Sequence, residues 1–137
     1  MKFLIVPALL ATAAQAAVNL AWLNDIPVDG NYTIGTDFIL EWKPYDAKPT
    51  DTFQLSLSAW NKTVKGYYTG PFGEQIPEFD SMEILLDDAV KFVDGMYSWT
   101  IKPIDDKGVW KDSGFYYSFT AHWDLTWESP RAFHIQN

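Results

Sequence analysis

Apolar and polar residues alternate strictly in several short stretches of this chain, and this alternation constrains the fold more than any other feature of the sequence. In the first such stretch, Phe38, Leu40 and Trp42 share one side. Asp37 and Glu41 share the other. The apolar sides of the later stretches are Phe53, Leu55, Leu57 and Ala59; Tyr97, Trp99 and Ile101; Phe115, Tyr117, Phe119 and Ala121; and Phe133 and Ile135. A period of two with many aromatic residues predicts half-buried antiparallel strands.

Residues that favour turns separate these stretches. They are Asp29-Gly30, Lys43-Pro44, Gly66, Gly70-Pro71, Asp94-Gly95, Lys107-Gly108 and Ser113-Gly114. Glycine supplies positive φ angles and proline fixes φ near −65°, so each pair ends a strand and starts a turn. Short strands at this spacing predict an all-β protein, either a sandwich or a barrel.

One segment, residues 82–93, fits two kinds of secondary structure. Its apolar residues also match helical spacing: Met82, Leu85, Leu86, Ala89, Phe92 and Val93. We expect a strand at Met82–Leu86 and a short helical turn near Asp87–Val90. The following Asp94-Gly95-Met96-Tyr97 is similar to a tyrosine corner, in which the tyrosine hydroxyl ties an immunoglobulin-like strand to the connection before it.

The first sixteen residues have the pattern of a secretory signal peptide. Lys2 is followed by a continuous apolar run, Phe3–Leu10, and then by small residues that include Ala14-Gln15-Ala16. One basic residue, a short apolar core and a small-x-small exit are the features of a secretory signal peptide. We therefore expect cleavage after residue 16, secretion, and a single domain over residues 17–137.

Charge and cysteine content exclude several classes of function. The chain has 10 Lys and Arg against 18 Asp and Glu, a formal net charge of −8. Nucleic acid and anionic membranes require a basic surface, so we expect neither as a partner. The chain has no cysteine, which excludes disulfides, thiolate metal sites and cysteine nucleophiles. Asn31-Tyr32-Thr33 and Asn61-Lys62-Thr63 match the N-glycosylation sequon, so we expect Asn31 and Asn61 to be glycan acceptors.

These features together resemble the N-terminal domain of the fungal KRE/KNH-like cell-wall family. The resemblance rests on the order of signal peptide, Ile26-Pro27, Gly30, Phe38–Trp42, Asp94–Tyr97 and the closing Ser129–Ile135. It implies an immunoglobulin/fibronectin-type-III-like antiparallel β-sandwich, secretion, and a role in assembly of cell-wall β-glucan. Many family members carry a Ser/Thr-rich region and a lipid-anchor signal, which this sequence lacks. The resemblance implies no catalytic residues.

Motifs for catalysis are absent from the sequence. It contains no Gly-x-Ser-x-Gly, no His-Glu-x-x-His, no phosphate-binding glycine loop and no EF-hand pattern. We assign the two histidines, His122 and His134, to surface or packing roles. Three acidic groups could supply the carboxylate pair of a glycosidase, but with 18 acidic residues such pairs are unavoidable and solvated turns explain them better: Glu78-Phe79-Asp80, Asp87-Asp88 and Asp105-Asp106. The spacing of Asp105, Asp106 and Asp112 matches no calcium-ligand pattern. We therefore expect no catalytic residue, metal or cofactor.

A surplus of aromatic residues, 17% of the chain, is the best indication of function. By alternation Trp60 lies opposite the apolar side of its strand. The ligand-binding candidates are Trp60; Trp110 in a polar connection; Tyr67 and Tyr68 in a glycine-flanked loop; and Trp123 and Trp127 beside a loop near the end. Exposed tryptophans either stack on sugar rings or anchor a protein interface; alternatively, these rings fold back onto the sandwich.

Three functions are consistent with these observations. We expect first a secreted, non-enzymatic module that binds cell-wall polysaccharide or takes part in wall assembly. The second is a secreted effector that acts on a host protein through a protein interface. The third, and least favoured, is a small glycan hydrolase that uses a pair of carboxylates.

Overall fold

A computed structural model describes residues 20–104 and 114–137. The predicted signal peptide, Trp110 and the acidic residues Asp105, Asp106 and Asp112 lie outside these ranges. Within the described residues the regular structure consists of β-strands and one short 3-10 helix. The strands are β1 (Ala21–Trp22), β2 (Asn31–Thr33), β3 (Asp37–Lys43), β4 (Thr52–Thr69), β5 (Gln75–Lys91), β6 (Met96–Thr100), β7 (Phe115–Trp123), β8 (Thr126–Glu128) and β9 (His134–Gln136). The predicted all-β fold class is confirmed.

The strands form two main antiparallel sheets. One has three strands in the order β1-β3-β6, and the other has four in the order β5-β4-β7-β8. Strands β2 and β9 pair in parallel, and Tyr117 of β7 exchanges two backbone hydrogen bonds with Phe133, just before β9. Strand β8 pairs only with residues 121–123 of β7. The last segment of the chain pairs with β7 further along, at Tyr117.

The apolar sides of the two sheets face each other and form one core. Strand β3 alternates exposed and buried residues over its whole length, as predicted, and so does the first half of β4. Across the interface, Trp42 meets Phe53 at 5.2 Å between ring centroids, and Phe38 meets Phe119 at 5.3 Å. These contacts between β3 on one sheet and β4 and β7 on the other make the molecule a β-sandwich.

Phe133 lies at the centre of this core and is fully buried. Its ring lies 5.1 Å from Phe38, 5.5 Å from Phe119 and 5.6 Å from Tyr32, measured between centroids. Trp99 of β6 approaches it at 6.5 Å. A single ring therefore contacts β2, β3, β6 and β7, and it joins both sheets to the closing segment.

Two local predictions for residues 82–97 need correction. The predicted helical turn near Asp87–Val90 is wrong, because β5 continues to Lys91 and the 3-10 turn comes later, at Phe92–Asp94. The turn ends at Gly95, whose φ of 69° is the left-handed conformation that glycine adopts at no steric cost. Within the described residues, the hydroxyl of Tyr97 does not make the hydrogen bond of a tyrosine corner.

Strands β4 and β5 form a hairpin much longer than the sandwich it belongs to. Pairing of β4 with β7 stops at Asn61, whereas pairing with β5 runs on to Thr69. Register shifts between Trp60 and Gly66 mark the point where the hairpin leaves the sandwich. We call its outer part, residues 62–80, the arm. Its residues are mostly exposed, including Phe72 at its tip.

We predict that Phe133→Ala lowers the free energy of unfolding by about 3–5 kcal/mol, because it leaves a cavity among packed rings of both sheets. Phe133→Leu keeps most of the volume and should cost less. The exposed counterpart, Phe72→Ala, should change the free energy of unfolding by less than about 0.5 kcal/mol. Urea unfolding followed by tryptophan fluorescence measures all three. Equal losses at the two positions would contradict the central role of Phe133.

Candidate functional site

The side of the four-stranded sheet that faces away from the core carries the most distinctive surface of the molecule. We call it the outer face. Cross-strand register aligns its side chains in rows: Ser58 with Ser118 and Glu83, Ser56 with Thr120 and Leu85, Trp60 with Tyr116 and Ser81, and His122 with Gln54 and Trp127. The alternation that buries every second residue of β4 and β7 puts the remaining residues on this face.

An aromatic pair occupies one end of the outer face. Trp60 on β4 and Tyr116 on β7 are directly opposite each other in the strand pairing. Their rings stack with 5.8 Å between centroids and 18° between planes. The ammonium group of Lys62 lies 4.3 Å from the centroid of the Tyr116 ring, a cation–π contact. Trp60 is half-buried, so part of the indole faces solvent at the edge of this pair.

A buried histidine supports Tyr116 from behind. The rings of His134 and Tyr116 lie 4.1 Å apart, and His134 is fully buried. Its Nδ1 faces the backbone carbonyl of Phe115 at 2.9 Å, and its Nε2 faces the carboxylate of Asp29 at 3.2 Å. Both partners are hydrogen-bond acceptors, so each ring nitrogen of His134 faces an oxygen atom. The predicted packing role of His134 thus includes polar contacts at both ring nitrogens.

Asp29 ties the turn before β2 to this cluster. Its Oδ1 accepts a hydrogen bond from the Tyr116 hydroxyl at 3.3 Å in addition to the contact with His134. The hydrogen bond with His134 is the main cause that holds the pKa of the Asp29 carboxyl below its ordinary value. The backbone φ of Asp29 is 55°, a left-handed conformation that Asp and Asn tolerate better than most residues.

A second aromatic pair lies at the other end of the outer face. The rings of His122 and Trp127 stack 4.5 Å apart and are almost parallel, with 7° between their planes. His122 Nε2 lies 3.1 Å from the backbone carbonyl of Asp124, which fixes the ring against the β7–β8 turn. Trp127 remains 61% exposed. The Trp127 indole therefore presents apolar area to solvent, and its contact with His122 holds the ring in place.

Small polar residues separate the two pairs. Ser56 and Ser58 of β4 lie beside Thr120 and Ser118 of β7, and all four are half-buried. On the neighbouring β5, the larger side chains of Glu83 and Leu85 are exposed. The middle of the outer face consequently consists of short hydroxyl side chains with an aromatic pair at each end.

The residues that the sequence suggested as ligand-binding candidates lie in different parts of the structure. Trp60 and Trp127 both lie on the outer face, at opposite ends. Trp123 does fold back, because its ring packs 5.1 Å from Phe92 and 6.5 Å from Phe53. Tyr67 and Tyr68 lie in strand β4 within the arm, so their predicted position in a loop is wrong.

Several residues that form or support this surface were not among the ligand-binding candidates of the sequence. They are Asp29, Lys62, Tyr116, His122 and His134. Tyr116 and His122 alternate with core residues, so alternation alone already placed them on the outer side. The pairing of Asp29 with His134 joins positions 105 residues apart, and no local pattern indicates it.

The predicted glycosylation sites lie apart from each other. Asn31 is on β2, where its amide donates a hydrogen bond to the Gln136 side chain at 3.0 Å. Asn61 is half-buried at the end of the β4–β7 pairing, and its Oδ1 accepts a hydrogen bond from the Thr63 amide at 2.9 Å. Occupancy of Asn31 and Asn61 by glycans stays a prediction.

The acidic residues of the described ranges are dispersed. Glu78 and Asp80 lie on β5 within the arm, and Asp87 and Asp88 lie further along the same strand. In residues 20–104 and 114–137, no three His, Asp or Glu side chains gather closely enough to hold a metal ion. No helix in those ranges has the length and apolar character needed to cross a bilayer.

Comparison with protein-family models, curated proteins and solved structures finds no significant match to this chain.

We predict that Asp29 contributes stability that is lost in acid. Because the folded state lowers the pKa of this carboxyl, its contribution is complete above the unfolded-state value of about 3.9. It disappears as the pH falls through the lower folded-state pKa. Asp29→Asn keeps a residue that tolerates positive φ but cannot ionise, so wild type should exceed it in stability at about pH 5 and converge with it near about pH 2. Urea unfolding at the two pH values measures this, and a constant difference would contradict it.

Proposed function

We propose that this protein is a secreted, non-enzymatic module that binds cell-wall polysaccharide through the outer face of its four-stranded sheet. The observation that carries the proposal is the presence of two stacked aromatic pairs, Trp60–Tyr116 and His122–Trp127, at opposite ends of one hydroxyl-lined surface. The predicted signal peptide at residues 1–16 supports secretion.

The chemistry of this surface suits sugars. A pyranose ring has a face of C–H groups that packs on an aromatic ring, and its hydroxyl groups need hydrogen-bonding partners around that contact. Trp127 offers an exposed indole that is held in place by His122. Ser118 and Thr120 supply hydroxyls that both donate and accept.

The architecture also supports the resemblance to the fungal KRE/KNH-like family. Three strands face four, with order β1-β3-β6 against β5-β4-β7-β8. Seven strands in two packed antiparallel sheets are typical of immunoglobulin-like domains. We therefore propose a fibronectin-type-III-like sandwich and, with it, a role at the cell wall rather than in catalysis.

Depletion of the purified protein from solution by insoluble β-glucan, chitin or cellulose tests this proposal. We expect at least one of these polymers to remove wild type, and Trp127→Ala to bind it at least about tenfold more weakly, which corresponds to about 1.4 kcal/mol. Trp127 is exposed, so its removal should leave the melting temperature nearly unchanged.

The matched control is Phe72→Ala, which removes an exposed ring from the tip of the arm, away from the outer face. It should be depleted like wild type. Retention that is unaffected by Trp127→Ala and by Trp60→Ala would contradict the site, and no depletion by any of the three polymers would contradict the function.

A second function, binding of a host protein, is favoured by the arm. Phe72 is 90% exposed at its tip, and Tyr67 and Tyr68 are exposed beside it. Rings of this kind without core contacts are common anchors of protein interfaces. If this function is correct, a host protein held by immobilised wild type is released by the combined change Tyr67→Ser and Phe72→Ser, whereas Trp127→Ala still holds it.

A further inference from the structure

We propose, on the basis of the function proposed above, that the ligand is a single extended and uncharged polysaccharide chain that contacts both aromatic pairs at once. The protein would thus bind along the interior of a polymer and would have little affinity for mono- and disaccharides. The inference rests on the spacing of the two pairs, on the shape of the surface between them and on its charge.

The two pairs are too far apart for a small sugar to contact both. Tyr116 and His122 belong to the same strand, β7, and are separated by six positions. At about 3.3 Å per residue the separation along the strand is roughly 20 Å. Trp60 and Trp127 lie on the strands that flank β7, so a line between them crosses that strand obliquely. Only a row of several sugar rings has that length.

The surface between the pairs leaves room for such a chain. The line from Trp60 to Trp127 passes over Ser118 and Thr120 of β7, which are short side chains. The Thr120 hydroxyl already has a partner, because it is hydrogen-bonded to Ser129 at 2.9 Å between hydroxyl oxygens. The larger Glu83 and Leu85 stand on one flank. A row of short side chains between two separated aromatic pairs favours an extended chain over a compact or branched ligand.

The charge of the protein selects against acidic polymers. The formal net charge is −8, and Glu83 and Asp29 contribute negative charges beside the outer face. Lys62 is the cation that the structure places against its aromatic pairs, where it covers Tyr116. A polyanion would approach a protein of net negative charge, so a neutral chain is the complementary ligand.

Simultaneous contact at two ends has a measurable consequence. Once one pair holds the chain, contact with the second is intramolecular, and its high effective concentration raises the overall affinity. Soluble β-1,3-glucan, cello- and chito-oligosaccharides, from disaccharide to octasaccharide, should therefore compete with the retaining polymer in a strongly length-dependent way. We expect the octasaccharide to compete at a concentration at least about tenfold lower than the disaccharide.

Variants at the two ends show whether one chain spans both. Trp60→Ala and Trp127→Ala should each bring the octasaccharide down to near the potency of the disaccharide. The double variant lacks both indoles, so it should bind the octasaccharide more weakly than either single variant. Phe72→Ala should keep the full length dependence. Carboxymethylated glucan of similar length should compete much less well than the neutral octasaccharide.

The outcomes separate this inference from the function on which it rests. If a polymer retains the protein but disaccharide and octasaccharide compete equally, the spanning mode is wrong and carbohydrate binding stands. If carboxymethylated glucan competes as well as the neutral chain, the selection by charge is wrong. If no polymer retains the protein and no oligosaccharide binds in direct titration, both proposals are overturned.

Discussion

The packing of aromatic rings around Phe133 is the interaction on which the other features of this protein depend. This ring lies just before β9, yet it contacts rings from both sheets and from β2. Since the chain has no disulfide, burial of apolar area must itself offset the loss of conformational entropy. Because Phe133 is held in the core, the next residue, His134, is held against Tyr116.

Core and outer face are built by the same strands, one residue apart. Tyr117 is buried in the core while Tyr116 stacks on Trp60, and Phe133 is central to the core while His134 supports Tyr116. A shift of β7 by one position would exchange the two sets. The precision of the aromatic pairs on the outer face therefore derives from the packing beneath them.

Most of the fold could be predicted from the sequence, and only part of the site. Alternation predicted the buried faces of β3, β4 and β7 because each of these strands has one side in the core. It failed at residues 87–90, where helical spacing competed with strand spacing and pairing with β4 decided the outcome. Alternation placed Trp60 outside the core, and its position beside a loop indicated Trp127; a role of either residue in ligand binding stays a prediction. The contact between Asp29 and His134 depends on tertiary structure, so sequence reasoning could not reach it.

Strand β4 is a single run of 18 residues with two different surroundings. Its first part, to Asn61, is paired on both sides by β5 and β7, and its remainder is paired by β5 alone. Backbone amides in the first part can exchange with solvent only when the sandwich opens, whereas those of the arm need only a local separation of two strands. One continuous strand thus joins a region governed by global unfolding to a region governed by local opening, and the irregular register between Trp60 and Gly66 is the boundary between them.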